Sequence, residues 1–335
     1  MTLKSPHLKT DMAGYIMLPA GRVPIAKTTD KISDVETDIF KKIKEIETIN
    51  YIYVLDDNQK LKGVISIKDI FLRPKATLVS EVMETKLVKA RPHTDQERVA
   101  LLALKYNLKA IPVVDKTEKF LGIIPSDTVS DILYKEATED IYYLAGVRRF
   151  DTMFLDTTKS SAGSIIKARI PWLIIGLIGG ILAAKILGFF ETTLETQIIF
   201  AFFIPVMLYM ANAVGIQSQT IFIRSLTANP QLKTINYFLK EIKISFSIAL
   251  ICAILLLLSS FFWQISFFLG IILGLSMFIS IVWAAGLAIF IPWFLHRAKK
   301  DPAIGSGPLG TVLNDISTLI IYFGVASLLI NFLTL

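Results

Sequence analysis

Beyond residue 168 the apolar positions run in five long blocks, 170–190, 198–226, 244–263, 265–295 and 308–335. A helix needs about 20 residues at about 1.5 Å each to cross a bilayer, so each block predicts a membrane-spanning helix. The second and fourth exceed one span and predict tilted, broken or extended helices. Before residue 168 the pattern changes. Short β-branched runs follow amphipathic helical stretches, "DVETDIFKKIKEIET" (34–48) and "DQERVALLALKYN" (95–107).

Two of these stretches share one grammar. "INYIYVLDDNQKLKGVISIKDI" (49–70) and "LKAIPVVDKTEKFLGIIPSDTV" (108–129) each read as a strand, an acidic turn, a second strand with a glycine, and a helix start. A period near 60 residues fits neither tetratricopeptide nor ankyrin arrays. The β-turn-β-α unit with "GVISIKD" resembles a CBS domain, and a tandem pair over about 14–140 implies one compact α+β module. Gly63, Ser66 and Asp69 fit the pattern G-h-h-[ST]-x-x-D, where h is apolar. In that family it implies contact with the ribose and phosphate of ATP or another adenine nucleotide. A plain helix N-cap also calls for a serine at 66, and a helix N-terminus attracts phosphate. Both readings stand. In the second copy Pro125 and Thr128 take the matching places, and the pattern is lost.

Charge follows the same division. The chain is 53% hydrophobic with a net charge of +7, yet residues 1–167 hold 23 of its 28 acids and 26 of its 35 Lys and Arg. Bases other than Lys185 flank the apolar blocks. Lys167 and Arg169 stand at the start of the first; Arg224, Lys233, Lys240 and Lys243 are expected between the second and third. Arg297, Lys299 and Lys300 are expected between the fourth and fifth. The other connections hold Glu191 and Glu195, or almost no charge. Positive loops face the cytoplasm. This predicts a multi-pass protein of the cell membrane, its soluble module cytoplasmic and its C-terminus outside. Membrane anchoring accounts for the positive charge without a nucleic-acid partner. Residues 1–50 show no apolar core of a signal peptide. The single Cys252 lies in an apolar block, so neither disulfide nor zinc site is expected. The three histidines, His7, His93 and His296, form no H-E-x-x-H pair, and no P-loop occurs. The expectation is a protein that is not an enzyme.

Polar residues inside the blocks then carry the argument. The second, "FFIPVMLYMANAVGIQSQTIFIRSL" (202–226), holds Pro205, Asn212, Gly215, Gln217, Ser218, Gln219 and Thr220; the fifth starts with Gly310, Thr311, Asn314, Asp315 and Ser317. Against lipid this density is costly and implies burial or a wet path. A charge at mid-span costs about 2.5–3.5 kcal/mol. Asp315 has no base in its own block, and Lys185 in the first block can snorkel away. Asp315 then lines an ion path, or it stays protonated as a packing hydrogen bond. Thr311 lies four residues earlier, on the same face. A two-fold dimer would bring two such carboxylates together, enough to balance a divalent cation. Carbonyls freed by Gly215, Gly307 and Pro308, with Asn212 and Thr311, can line the rest of the path. Farther upstream, "DILYKEATEDIYYLAG" packs Asp131, Glu136, Glu139 and Asp140 onto a few helical turns. Such carboxylates suit Mg²⁺, and they suit a solvated acidic face equally.

"EATEDI" (136–141), "IPWLIIGLIGGILAAKILGFFE" (170–191), "FFIPVM" with "GIQSQTIFIRSL", and above all "DPAIGSGPLGTVLND" (301–315) occur in the order seen in the MgtE family of magnesium channels or transporters, which the chain resembles over about 14–335. The resemblance implies a homodimer in the lipid bilayer with five spans per subunit and a pore lined by spans two and five. The pore carboxylate falls on Asp315, and an acid at the outer end of span one falls on Glu191. Sensor acids fall on Asp95, Glu97, Asp131, Glu136, Glu139 and Asp140, with Mg²⁺ both cargo and regulator. The expected domains are a tail (1–13), two CBS domains (about 14–75 and 76–140), a linker helix (141–167) and the pore domain (168–335). Relatives carry a helical domain ahead of the CBS pair, which is expected to be lacking here. They read G-G-N-x-G-x-Q where this chain has "ANAVGIQ", so Asn212 stands one place early and Ala213 takes the asparagine's position. Asn107 and Thr128 stand where acids occur in relatives. Two alternatives remain: a transporter of another divalent metal such as Mn²⁺ or Co²⁺, and a non-transporting membrane protein that senses nucleotide.

Overall fold

The computed structural model describes residues 11–147, 161–229, 232–298, 300–305 and 307–334. It divides into two compact units, residues 1–137 and 138–335.

The first unit contains α1 (Ala13–Ile16), β1 (Leu18–Pro19), β2 (Ile25–Lys27), α2 (Ile32–Lys42), β3 (Tyr51–Leu55), β4 (Leu61–Ser66), α3 (Ile67–Leu72), α4 (Val79–Val82), α5 (Gln96–Lys105), β5 (Ala110–Val114) and β6 (Phe120–Pro125), and the start of α6 (Ser126–Leu144). The two copies of the repeat build two three-stranded sheets. In one, β3 pairs antiparallel with β4 and parallel with β2; in the other, β6 pairs antiparallel with β5 and with β1. The strand nearest the N-terminus thus joins the sheet of the second copy, which ties the repeats together.

The two acidic turns are the same object twice. Asp56 Oδ1 accepts from the backbone N–H of Asn58 (3.0 Å) and Lys60 (2.9 Å); Asp115 Oδ1 accepts from Thr117 (2.8 Å) and Lys119 (2.9 Å). Gln59 and Glu118 then adopt positive φ, 63° and 67°. Side-chain bonds to the local backbone are what suit Asp to turns. Each sheet buries the apolar stripe of a helix: Ile32, Val35 and Ile39 of α2 on Ile52, Val54 and Ile65, and Val99, Ala100 and Ala103 of α5 on Ile111, Val113 and Ile124. Between the copies Tyr53 stacks on Phe120, centroids 4.9 Å apart. Helix α5 starts at Asp95, whose carboxylate accepts from the N–H groups of Glu97 and Arg98. It ends near Asn107 at φ 49°, a conformation asparagine tolerates.

The second unit holds α7 (Ala162–Gly188), α8 (Glu191–Thr196), α9 (Ile199–Ala228), α10 (Thr234–Phe262), α11 (Phe267–Arg297) and α12 (Pro308–Thr334), with the last turns of α6. Five of these, α7 and α9 to α12, are long and apolar enough to cross a membrane, as the five blocks predict. Helix α11 is the centre of the bundle. It offers Gly270, Gly274, Ser276, Ser280, Ala284, Ala285 and Ala288 as a buried face, and small residues let membrane helices approach closely. Helix α7 packs on α12 through Gly179, where a Cβ would collide with Val312. Leu173, Leu177 and Ile181 of α7 stay exposed, as befits a lipid-facing helix.

Two expectations are corrected. Arg224, Lys240 and Lys243 lie within α9 and α10, not in a loop between them. Likewise α7 starts eight residues before the apolar block and takes up Lys167 and Arg169. An apolar run measures hydrocarbon thickness, whereas helical hydrogen bonding continues into the wet interface. The expected linker helix over 141–167 falls largely on 148–160, outside the described residues; 141–144 complete α6 and 162–167 begin α7. Helix α6 ends at Leu144, and Gly146 just beyond it, φ +70°, lies against the start of α12. A Cβ on Gly307 would lie 2.8 Å from the Tyr143 carbonyl oxygen and 3.2 Å from Gly146 Cα.

Candidate functional site

The polar stretches of α9 and α12 meet. Asn212 Nδ2 donates to Asp315 Oδ1 at 2.6 Å, and Asn314 Nδ2 donates to Asn212 Oδ1 at 2.8 Å. The order of these bonds has a chemical reason. Asp315 Oδ1 accepts the Asn212 NH₂, which leaves the Asn212 carbonyl to accept from Asn314. Beside this chain lies a cavity of about 20 Å³ lined by Asn212, Gly215 and Gln219 of α9, Ala288 of α11, and Thr311 and Asn314 of α12. Four of the five expected pore residues therefore gather here. Glu191 does not join them; it opens the short helix α8 and is exposed.

The sequence reading missed Glu241. It is 7% exposed inside α10 and accepts from the Ser218 hydroxyl of α9 at 2.7 Å. The signal was present: Glu241, Ser245, Ala249, Leu256 and Ser260 form one buried stripe at helical spacing, but the apolar block starts only at residue 244. Glu241→Ala leaves the Ser218 hydroxyl without its acceptor. It is expected to cost about 1 kcal/mol, seen as a lower Tm in detergent, while Glu241→Gln keeps the bond and the Tm.

The expected sensor acids do not gather. Asp95 caps α5, Gln96 Nε2 donates to Glu136 Oε1 at 2.6 Å, and Asp131 is exposed. Glu97 stands in the first turn of α5. Among the described residues no three Asp, Glu, His or Cys side chains converge as a metal-binding group. Glu139 is 8% exposed. Burial pushes the Asp140 carboxyl from its ordinary 3.8 up to about 6; repulsion from Asp301 and Glu139 adds to this and Arg224 opposes it. Asp301, the first residue of "DPAIGSG", was not singled out from the sequence. Because the folded Asp140 holds its proton more tightly, stability falls as pH rises from about 4 to 6. Asp140→Asn removes that cost. It is expected to stabilise the protein at pH 7 without divalent cations by about 1 kcal/mol after solvent screening, read as a higher Tm, and to leave Tm unchanged at pH 4.

In the first unit a second cavity, of about 340 Å³, is lined by Ser66, Asp69, Tyr51, Tyr106, Glu84 and Lys86 among others. Ser66 is the N-cap of α3, accepting from the Lys68 N–H at 3.1 Å, and also borders this cavity. Gly63 does not line it. Gly63 sits in β4, where a Cβ would lie 2.7 Å from Met83 Sδ, so close packing demands it.

Residues 204–325 match the MgtE family model, described as a divalent cation transporter, and residues 22–74 and 79–135 match the CBS domain. The magnesium transporter MgtE of Bacillus subtilis is 36% identical over 87% of this chain and 64% of its own length. That of Thermus thermophilus is 35% identical over 96% of this chain and 70% of its own. The chain thus spans about two thirds of these relatives. A crystal structure of the cytosolic domain of the Mg²⁺ channel MgtE in complex with ATP is 34% identical, with a TM-score of 0.36, over 37% of this chain and 50% of that one.

Proposed function

Since the chain belongs to the MgtE family of divalent cation transporters, we propose that it carries Mg²⁺ across a membrane through a path lined by α9 and α12. The observation that carries this reading is Asp315: a carboxylate seven residues into a membrane helix, held by Asn212 of the neighbouring helix at 2.6 Å. In a homodimer two Asp315 side chains face one axis, and their joint charge balances one divalent cation. Mg²⁺ sheds its water reluctantly, so the carboxylates hold it through that water. Thr311, Asn212 and the backbone at Gly215 line the path, and Glu191 gathers cations at its outer mouth.

The CBS module faces the cytoplasm and the C-terminus lies outside. Mg²⁺ bound between carboxylates of facing subunits (Asp95, Glu97, Asp131, Glu136, Glu139 and Asp140) holds the pore shut. When cytosolic Mg²⁺ falls, those carboxylates repel and the pore opens. The 340 Å³ cavity at Ser66 and Asp69 has the size of a small-ligand site and takes an adenine nucleotide. In this reading the protein is a transporter, not an enzyme.

Uptake into proteoliposomes tests the reading. Mg²⁺ uptake that outpaces Mn²⁺, Co²⁺ and Ca²⁺ in competition is the expected result. Preference for Mn²⁺ or Co²⁺ would assign the altered "ANAVGIQ" stretch to another metal. Absence of any flux, with nucleotide still bound, would make the protein a sensor.

A further inference from the structure

Gln219 and Asn314 are polar, 5% and 6% exposed, and line the same cavity between α9, α11 and α12. Among the described residues Gln219 Nε2 and Asn314 Oδ1 each lack a hydrogen-bond partner. One is a donor and the other an acceptor. Leaving a buried polar group unmatched is unfavourable, so two lining one small space call for a shared partner. The cavity, about 20 Å³, exceeds the roughly 10–15 Å³ that one water needs.

We propose that this cavity is the site of one ordered water, which accepts from Gln219 Nε2 and donates to Asn314 Oδ1, making Gln219 a positioning residue for Asp315. The inference rests on the reading of Asp315 as the pore carboxylate. Its chemistry is a chain of donors that all point one way. Gln219 donates to the water, the water to Asn314, Asn314 to Asn212 at 2.8 Å, and Asn212 to Asp315 at 2.6 Å. Bonds in such a chain polarise one another. The asparagine amides are fixed against flipping at both ends, by the water on one side and the carboxylate on the other. Asp315 Oδ1 is thereby occupied, and Oδ2 remains to receive the hydrated ion. Without the water, the Asn314 amide gains by rotating, Asn212 loses its donor, and Asp315 loses its orientation.

Two measurements test this. A density map of the intact protein at about 2 Å or better is expected to show a peak 2.7–3.2 Å from both Gln219 Nε2 and Asn314 Oδ1. Direct contact between the two amides, or a peak touching only one of them, overturns the proposal. In Mg²⁺ uptake, Gln219→Met, which keeps length and removes the donor, is expected to raise KM about tenfold, the usual scale for the support of a metal ligand, with Vmax within twofold. Wild-type KM, or a lower Vmax at unchanged KM with a lowered Tm, would leave Gln219 as packing and overturn the role. If Asp315→Asn transports as well as wild type, the pore reading fails, whereas the water is judged by the map alone.

Discussion

Asp315→Asn is expected to lower Mg²⁺ uptake at least tenfold while the protein folds as before. The substitution keeps size and shape, and an amide still meets Asn212 across the 2.6 Å contact. What it removes is the charge, and in a dimer it removes both charges at the axis. A divalent ion in a low-dielectric path then meets only neutral dipoles, and its dehydration goes uncompensated. Stability should move the other way, since a neutral side chain is easier to keep within a membrane helix; an unchanged or higher Tm is the control. Asp315→Ala should match it in flux but lose the bond from Asn212. Equal flux in wild type and both variants would reduce Asp315 to a packing residue.

The second large effect is expected at the regulatory end. Glu136→Gln with Glu139→Gln should bring the ratio of uptake at low to uptake at high cytosolic-side Mg²⁺ down toward one. A ligand that shifts a gate from 1:99 to 99:1 must bind the favoured state about 10⁴-fold more tightly. Neutralising two carboxylates per subunit removes much of that difference. Glu136 is fixed by Gln96 and Glu139 is buried, so each side chain is held in one place within the subunit. Inhibition by Mg²⁺ with unchanged potency in the double variant would sink the sensor assignment.

The parts of the fold written as repetition or as long apolar runs were legible. The two turn sequences, "DDNQK" and "DKTEK", fold alike because each begins with an aspartate that accepts from the backbone two and four residues on. Five apolar blocks became five helices. Helix ends were not legible, because hydrophobicity reports the lipid and not the backbone, and Glu241 was lost for that reason. Within the apolar helices, Asp315 announced itself by its cost. Asn314 and Gln219 did not stand out among their polar neighbours, because an amide in a membrane helix is informative only once its partner is known. The acids of α6 show the converse. Their spacing was plain, yet among the described residues of one subunit they do not converge as a metal-binding group.

Helix α6 is one unbroken rod from Ser126 to Leu144, about 28 Å long at 1.5 Å per residue. It starts beside the last strand of the CBS pair, and it ends where Gly146 and Gly307 bring backbone against backbone. The tip bears on the residue just before α12, eight positions ahead of Asp315. Two glycines leave no flexible side chain between the end of α6 and the residue before α12, so any shift of that end meets α12 backbone on backbone.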